Sequence, residues 1–371
     1  MRWTYGIGRI AGLDIRIHLT FLILIGWVAV GAWSAEPSAA HVLAEVSAVL
    51  LLFAGVVLHE MGHALTARRR GIGTRDITLL PIGGVARLER MPERPRDEIV
   101  IALAGPVVSF GIAAALGAMV VAGGGSLSLA VAFGPEGSLL QRVAAQNLLL
   151  GLFNLLPAFP MDGGRVLRAA LGSRIGALRA TRIAAGIGRV LAAGLAVLGL
   201  AGNPFLMIIA LFLWIGGGLE LADLETRQLI GDLPASAAMV TNFESLSPSD
   251  PLERAVELTL AGSQRHYPVM DGDRLIGILT QAGLLAGLTA RGGNSPVADS
   301  MAESPQLISP NAPLASVFQL LQELPEGVAP VGTGTGISGL IDRDNLIDLL
   351  RIRGAVARRA GSVTEAPNPR P

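Results

Sequence analysis

Six long apolar stretches occupy the first 225 residues, near 18–34, 42–66, 98–122, 139–156, 184–202 and 204–222. A helix needs about 20 predominantly apolar residues to cross the hydrocarbon core of a bilayer, so residues 1–225 read as a chain solvated by lipid. Composition agrees: 51% of residues are hydrophobic and 16% charged, against about 25% charged in an ordinary soluble domain. Stretches five and six are parted only by Asn203-Pro204, a tight helical hairpin signal.

The arginines orient the spans. Every basic residue is Arg and the net charge is zero, so there is no global positive field to draw nucleic acid. Arg2, Arg9 and Arg16 precede the first stretch. Arg68, Arg69, Arg70, Arg75, Arg87, Arg90, Arg94 and Arg96 lie between the second and third, and Arg165, Arg168, Arg174, Arg179 and Arg182 between the fourth and fifth. The segments 35–41, 123–138 and 203 have none. By the positive-inside rule this alternation predicts a multi-pass cell-membrane protein with both termini in the cytoplasm. A cleaved signal peptide fits poorly, because the first stretch follows a 17-residue polar lead.

After a linker over 226–234, residues 235–354 repeat at an offset of 62. Met239 matches Met301, Pro251-Leu252 matches Pro313-Leu314, Pro268-Val269 matches Pro330-Val331, and Gly277 matches Gly339. Such agreement marks a duplicated module, with copies over 235–292 and 293–354. In the first copy Pro251 opens a helix with Leu252, Val256 and Leu260 on one face. Strands over 266–270 and 275–280 then flank Asp271-Gly272, a hairpin signal, before a second helix near Gln281. Residues 355–371, rich in Arg, Gly and Pro, are expected to be disordered. The fold expected is an α-helical polytopic membrane protein with six transmembrane helices and a C-terminal α+β repeat.

Without cysteine, metal chemistry must come from His and carboxylates. The second stretch ends in His59-Glu60-Met61-Gly62-His63, the H-E-x-x-H pattern of zinc hydrolases. Two His at i and i+4 share one helix face and can share one metal, while Glu60, about 100° around the helix, is free to act as a base. Ionisable groups in a span are costly and usually functional. A catalytic zinc usually takes a third protein ligand. His41 falls on the opposite side of the membrane, His266 in the repeat, and His18 at the start of a span, where an interfacial His is ordinary. Asp162 is the better candidate, in Asn154-Leu-Leu-Pro157-Ala-Phe-Pro160-Met-Asp162-Gly-Gly-Arg165. Its segment closes the fourth stretch on the same side as His59 and His63. Pro157 and Pro160 stop the helix, and irregular backbone at membrane depth is tolerated where it lines a cavity. An ordinary Asp-Gly turn is the competing reading.

These motifs resemble those of the site-2 protease family of intramembrane zinc metalloproteases, in the branch with C-terminal tandem cystathionine-β-synthase (CBS) domains. The resemblance implies one Zn2+ per chain held by His59, His63 and Asp162, with Glu60 as the base and Asn154 stabilising the oxyanion. Leu80-Pro-Ile-Gly-Gly84 matches a family hairpin that dips towards the site, and Ala104-Gly105-Pro106 matches a further family pattern; Met161 stands where Leu is usual. The resemblance further implies cleavage of the transmembrane segment of a single-span membrane protein within the bilayer. It also implies a CBS pair that forms a homodimer or responds to adenine nucleotide. The family's nucleotide pattern, Gly-x-x-Thr/Ser-x-x-Asp, is broken twice: Gly277-Ile-Leu-Thr280-Gln-Ala-Gly283 lacks the Asp, and Gly339-Leu-Ile-Asp342-Arg-Asp-Asn345 lacks the hydroxyl. Two alternatives differ in class. A CBS-regulated transporter or channel would show repeat symmetry among its spans and polar groups near the midplane, and neither is evident. A catalytically inactive relative that only binds membrane partners would not need the intact Glu60.

Overall fold

The computed structural model describes residues 3–92, 94–132, 137–303, 306–334 and 336–364. The chain divides into two compact units, Met1–Asp223 and Leu224–Pro371.

The first unit opens with β1 (Thr4–Ile10), β2 (Leu13–His18), α1 (Leu19–Ala35) and α2 (Ala39–Arg69). It continues with β3 (Thr74–Leu80), β4 (Gly83–Leu88), α3 (Pro95–Ala122) and α4 (Leu139–Asn154), then α5 (Asp162–Ile175), α6 (Ala177–Leu200) and α7 (Pro204–Ile230). Four of these, α2, α3, α6 and α7, are long and apolar enough to cross a membrane, by length and composition. The first and fourth apolar stretches form shorter helices of 17 and 16 residues. Local chemistry sets the helix starts. Ser138 and Gln141 close a capping box at the head of α4, and α3 begins on Pro95 with Asp97 and Glu98 in its first turn.

Two elements add to what the sequence pattern suggests. The polar lead is a β-hairpin, turned at Ala11 and Gly12 with φ of 51° and 83°. It joins the second hairpin in a four-stranded sheet of order β1-β2-β3-β4, with β2 and β3 parallel. One sheet face packs on α2: Leu13, Ile15 and Ile77 meet Ala64, and Leu79 meets Phe53 and Val56. The helix bearing the two His is thus clamped along its flank. The other addition is α5, which fills much of the expected loop over 157–183, so that the next helix begins at Ala177 instead of 184.

Some arginines within these helices are structural. Arg142, in the first turn of α4, forks onto Glu45 of α2 at 2.7 and 2.8 Å, so a charge inside an apolar stretch is neutralised across the helix pair. Arg168 on α5 is buried between Glu98 of α3 and Glu220 of α7.

The second unit holds the duplicated module. Copy one contains α8 (Leu252–Ala261), β5 (Tyr267–Asp271), β6 (Arg274–Leu279) and α9 (Gln281–Arg291). A short β7 (Ala302–Glu303) follows, and then copy two with α10 (Leu314–Glu323), β8 (Val328–Thr333), β9 (Gly336–Asp342) and α11 (Arg343–Thr364). Strand contacts recur at the repeat offset. Leu246 bridges Val269 as Ile308 bridges Val331, and Ala302 pairs with Ile278 as Val240 bridges Leu340. Pro234 bridges Pro313 and Pro296 bridges Pro251, so the segment leading into each copy is fastened to the helix start of the other. Each copy keeps its own core, around Leu252, Tyr267 and Leu279 in the first and Leu314, Val331 and Ile341 in the second. Helix α11 runs to Thr364, into the segment expected as a disordered tail; residues 365–371 lie outside the described residues.

Candidate metal centre

His59 and His63 face one way from α2, with ring centroids 4.8 Å apart. Helix α3 sets their orientation: His63 Nδ1 lies 2.7 Å from the Ile101 carbonyl oxygen and His59 Nδ1 lies 2.9 Å from Ser109 Oγ. A carbonyl only accepts, so His63 Nδ1 carries a proton, and its Nε2 faces Asp162. Asp162 enters from the start of α5. Its Oδ2 is 3.1 Å from both Nε2 atoms, which are themselves 3.2 Å apart, and all three residues are buried. The sequence-expected residues His59, His63 and Asp162 are therefore brought together; His18, His41 and His266 are elsewhere. His18 caps α1, and His41 lies 3.8 Å from Glu36.

The cluster fits a zinc ion. Two imidazole nitrogens and a carboxylate oxygen converge on one point, the donor set that a zinc ion takes. Their spacing is close to the roughly 3.3 Å that separates ligands of a tetrahedral zinc with bonds of about 2.0 Å. The best sign of a reserved place is Gly105 on α3. A Cβ there would stand 2.2 Å from His63 Nε2 and 2.6 Å from His59 Nε2, so a glycine keeps that space free. Gly62 lets the two helices approach, since its Cβ would meet the Ala104 carbonyl oxygen at 2.8 Å.

The loop between α4 and α5 delivers the carboxylate. Ala158 and Phe159 are fully buried, and the Phe159-Pro160 bond is cis. Gly163 and Gly164 allow α5 to start against this loop: a Cβ on Gly163 would lie 2.3 Å from the Leu156 carbonyl oxygen. Beside the cluster is a cavity of about 300 Å3, lined by Glu60, Asn154, Arg165 and Glu220 among others. Asn154 Nδ2 donates one hydrogen bond to the Leu150 carbonyl, 2.9 Å away, leaving its second N–H unspent. Glu60 Oε2 accepts from the backbone N–H of Ala86 on β4 at 3.1 Å. That N–H is on the free side of the edge strand, where Gly84 lets β4 come within 2.7 Å of Glu60 Cγ, measured from the Cβ it lacks.

Sequence reasoning did not single out Ser109, Arg168 or Glu220. A lone hydroxyl four residues after Gly105 in an apolar helix was the available signal for Ser109; the two charged residues are linked only by tertiary packing.

A buried His-His-carboxylate set, two of its members on a long apolar helix and all beside a cavity that Glu60 lines, has the make-up of a membrane-associated zinc hydrolase. Residues 47–136 and 128–198 match peptidase family M50, and residues 230–289 match the CBS domain. The zinc metalloprotease MJ0392 of Methanocaldococcus jannaschii is 34% identical over 281 residues, covering 75% of this chain and 78% of that protein. The Mycobacterium tuberculosis protein named as zinc metalloprotease Rip3 is 31% identical over 378 residues, covering 95% of each chain. The solved structure of a site-2 protease from Methanocaldococcus jannaschii has 38% sequence identity, covers 59% of this chain and 95% of its own, and gives a TM-score of 0.46. The chain belongs to peptidase family M50, and it is a zinc metalloprotease with a CBS domain.

Proposed function

We propose that the protein cleaves a peptide bond in the transmembrane segment of a single-span membrane protein, with His59, His63 and Asp162 as the zinc ligands. The observation that carries this reading is the convergence of those three donors beside a cavity that also holds Glu60. Zinc in that set supplies Lewis acidity towards water and a peptide carbonyl. Glu60 takes the proton of the attacking water and passes it to the leaving amine, so one water is added across the C–N bond. The second N–H of Asn154 donates to the carbonyl oxygen as its charge grows. A helical substrate has its peptide groups paired internally and must unwind to be cut; the free edge of β4 offers the unwound strand backbone partners.

In this reading α1 and α4 also cross the bilayer, giving six spans with both termini cytoplasmic. The arginine alternation supports that topology, as does the ion pair that removes the charge of Arg142. The CBS module serves as a cytosolic regulatory or dimerising element. Adenine nucleotide is a poor fit to the sequence pattern of the module, since the first copy has Gly283 where the pattern has Asp and the second has Asp342 where it has a hydroxyl.

Purified protein given a single-span reporter should cut it, lose activity with chelator, and lose activity in Glu60→Gln while keeping its zinc. Cleavage that survives Glu60→Gln overturns the mechanism.

A further inference from the structure

Two arginines stand one turn apart on α5, and they are used differently. Arg168 is spent: its Nε donates to Glu98 at 2.7 Å, its Nη1 donates to Glu220 at 3.2 Å, and it lies 5.1 Å from the centre of the Phe159 ring. Arg165 is unspent: its buried Nε has no hydrogen-bond partner, and its side chain lines the cavity beside the metal cluster. A guanidinium carries five donors in a fixed fork and keeps its charge at any working pH. Glu220, Asp162 and Glu60 are near enough to act on that charge, yet none of them takes up the fork. The other polar groups on the cavity wall are mainly acceptors, the carboxylates of Glu60, Asp162 and Glu220, beside apolar Val56, Met161 and Phe212. Arg165 is thus the wall's strongest donor. It sits three residues after Asp162, on the same helix face, so it reaches whatever is held at that carboxylate.

We propose that Arg165 forms a subsite for peptide oxygen. It holds a main-chain carbonyl of the bound segment and, after cleavage, the carboxylate of the new C-terminus. The proposal rests on the proteolytic reading of this cavity. Hydrolysis replaces a neutral amide by a carboxylate, and a guanidinium fork pairs with a carboxylate through two parallel hydrogen bonds. The acyl product is therefore gripped more firmly than the substrate, and its release is slowed by the residue that helped to seat it.

The test uses the full chain in detergent micelles, the reporter substrate, and a labelled peptide of the reporter's N-terminal product made with either a free carboxylate or an amide end. The wild-type chain should bind the carboxylate form about tenfold more tightly than the amide, the scale of a charge-assisted pair. Arg165→Gln should erase that preference and raise KM about tenfold with zinc retained; Arg165→Lys should keep part of it. Equal binding of the two peptides by the wild-type chain overturns the proposal without recourse to any variant. So does an Arg165→Gln chain that retains the preference, or one whose only change is lost zinc. Peptide binding needs no turnover, so a wild-type chain that fails to cleave the reporter counts against the proteolytic reading and not against the subsite.

Discussion

Adding one methyl group at Gly105 should empty the metal centre. In Gly105→Ala the new Cβ would lie 2.2 Å from His63 Nε2 and 2.6 Å from His59 Nε2. Carbon and nitrogen settle at about 3.5 Å, so one or both imidazoles must retreat by about 1 Å. Zinc sites tolerate departures of about 0.2 Å in ligand distance. Outer-shell changes alone cost roughly 10–100-fold in affinity; displacing a ligand should cost more, upwards of about 100-fold. The same substitution favours the helix, since Ala exceeds Gly by about 1 kcal/mol in a helix interior. The expected pattern is therefore specific: zinc affinity and cleavage lost, with metal-free thermal stability changed little or modestly lowered, because overpacking of about 1–3 kcal/mol opposes the helix-propensity gain. Competition against a chromophoric chelator measures the first and thermal unfolding in micelles the second. A Gly105→Ala chain that binds zinc like the wild type would refute the assignment of that space to the metal.

Other outcomes follow from the same geometry. Ser109→Ala removes the partner of His59 Nδ1 and should weaken zinc about 10-fold or more, again by chelator competition. Arg142→Ala leaves Glu45 unpaired between α2 and α4; it should cost about 3 kcal/mol in equilibrium unfolding, the low end for a broken buried pair because Glu45 retains 22% exposure. Ala86→Pro deletes the β4 N–H that holds Glu60 Oε2 without touching the ladder to β3, and should cut reporter cleavage about tenfold with zinc retained; undiminished cleavage would remove that hydrogen bond from the seating of the base. Burial, aided by Arg265, holds the His266 imidazole below its usual range, against the opposite pull of Asp342 and Asp344. Above pH about 6.5 it is neutral folded or unfolded and has no effect. Below that, the unfolded chain takes up the proton more readily, so the second unit loses stability as pH falls. His266→Gln should flatten the thermal unfolding of that unit between pH 7 and 5.

Four of the six apolar stretches form helices long enough to cross a membrane, and the pairing of His59 with His63 on one helix face was legible too, because both are short-range patterns: apolar length, and two His one helical turn apart. Asp162 was within reach because its prolines and glycines announce an irregular segment. Helix α5 was hidden, since its first residue, Asp162, is followed by Gly163-Gly164, poor helix formers retained there for contact with the loop below. The hairpin of β1 and β2 was hidden because Leu13, Ile15 and Ile17 find their partner only when α2 packs across them. The polarity of β4 was hidden as well, because its pairing with β3 sets which N–H groups face outward. Ala86 turns its N–H outward to Glu60, so Val85, one residue earlier, turns its own towards β3. A proline at 85 would break the sheet instead of blocking its edge.

The proline bridges of the CBS module carry a last consequence. Pro234 is fastened to Pro313 and Pro296 to Pro251, so the two copies are linked like rings of a chain, each closed by the other's strap. Neither can be excised as a working part, and truncation after the first copy leaves it with its clasp undone at Pro251. A force or ligand that prises open one half must strain the other, so the pair is expected to melt in one transition, read by calorimetry on the full chain.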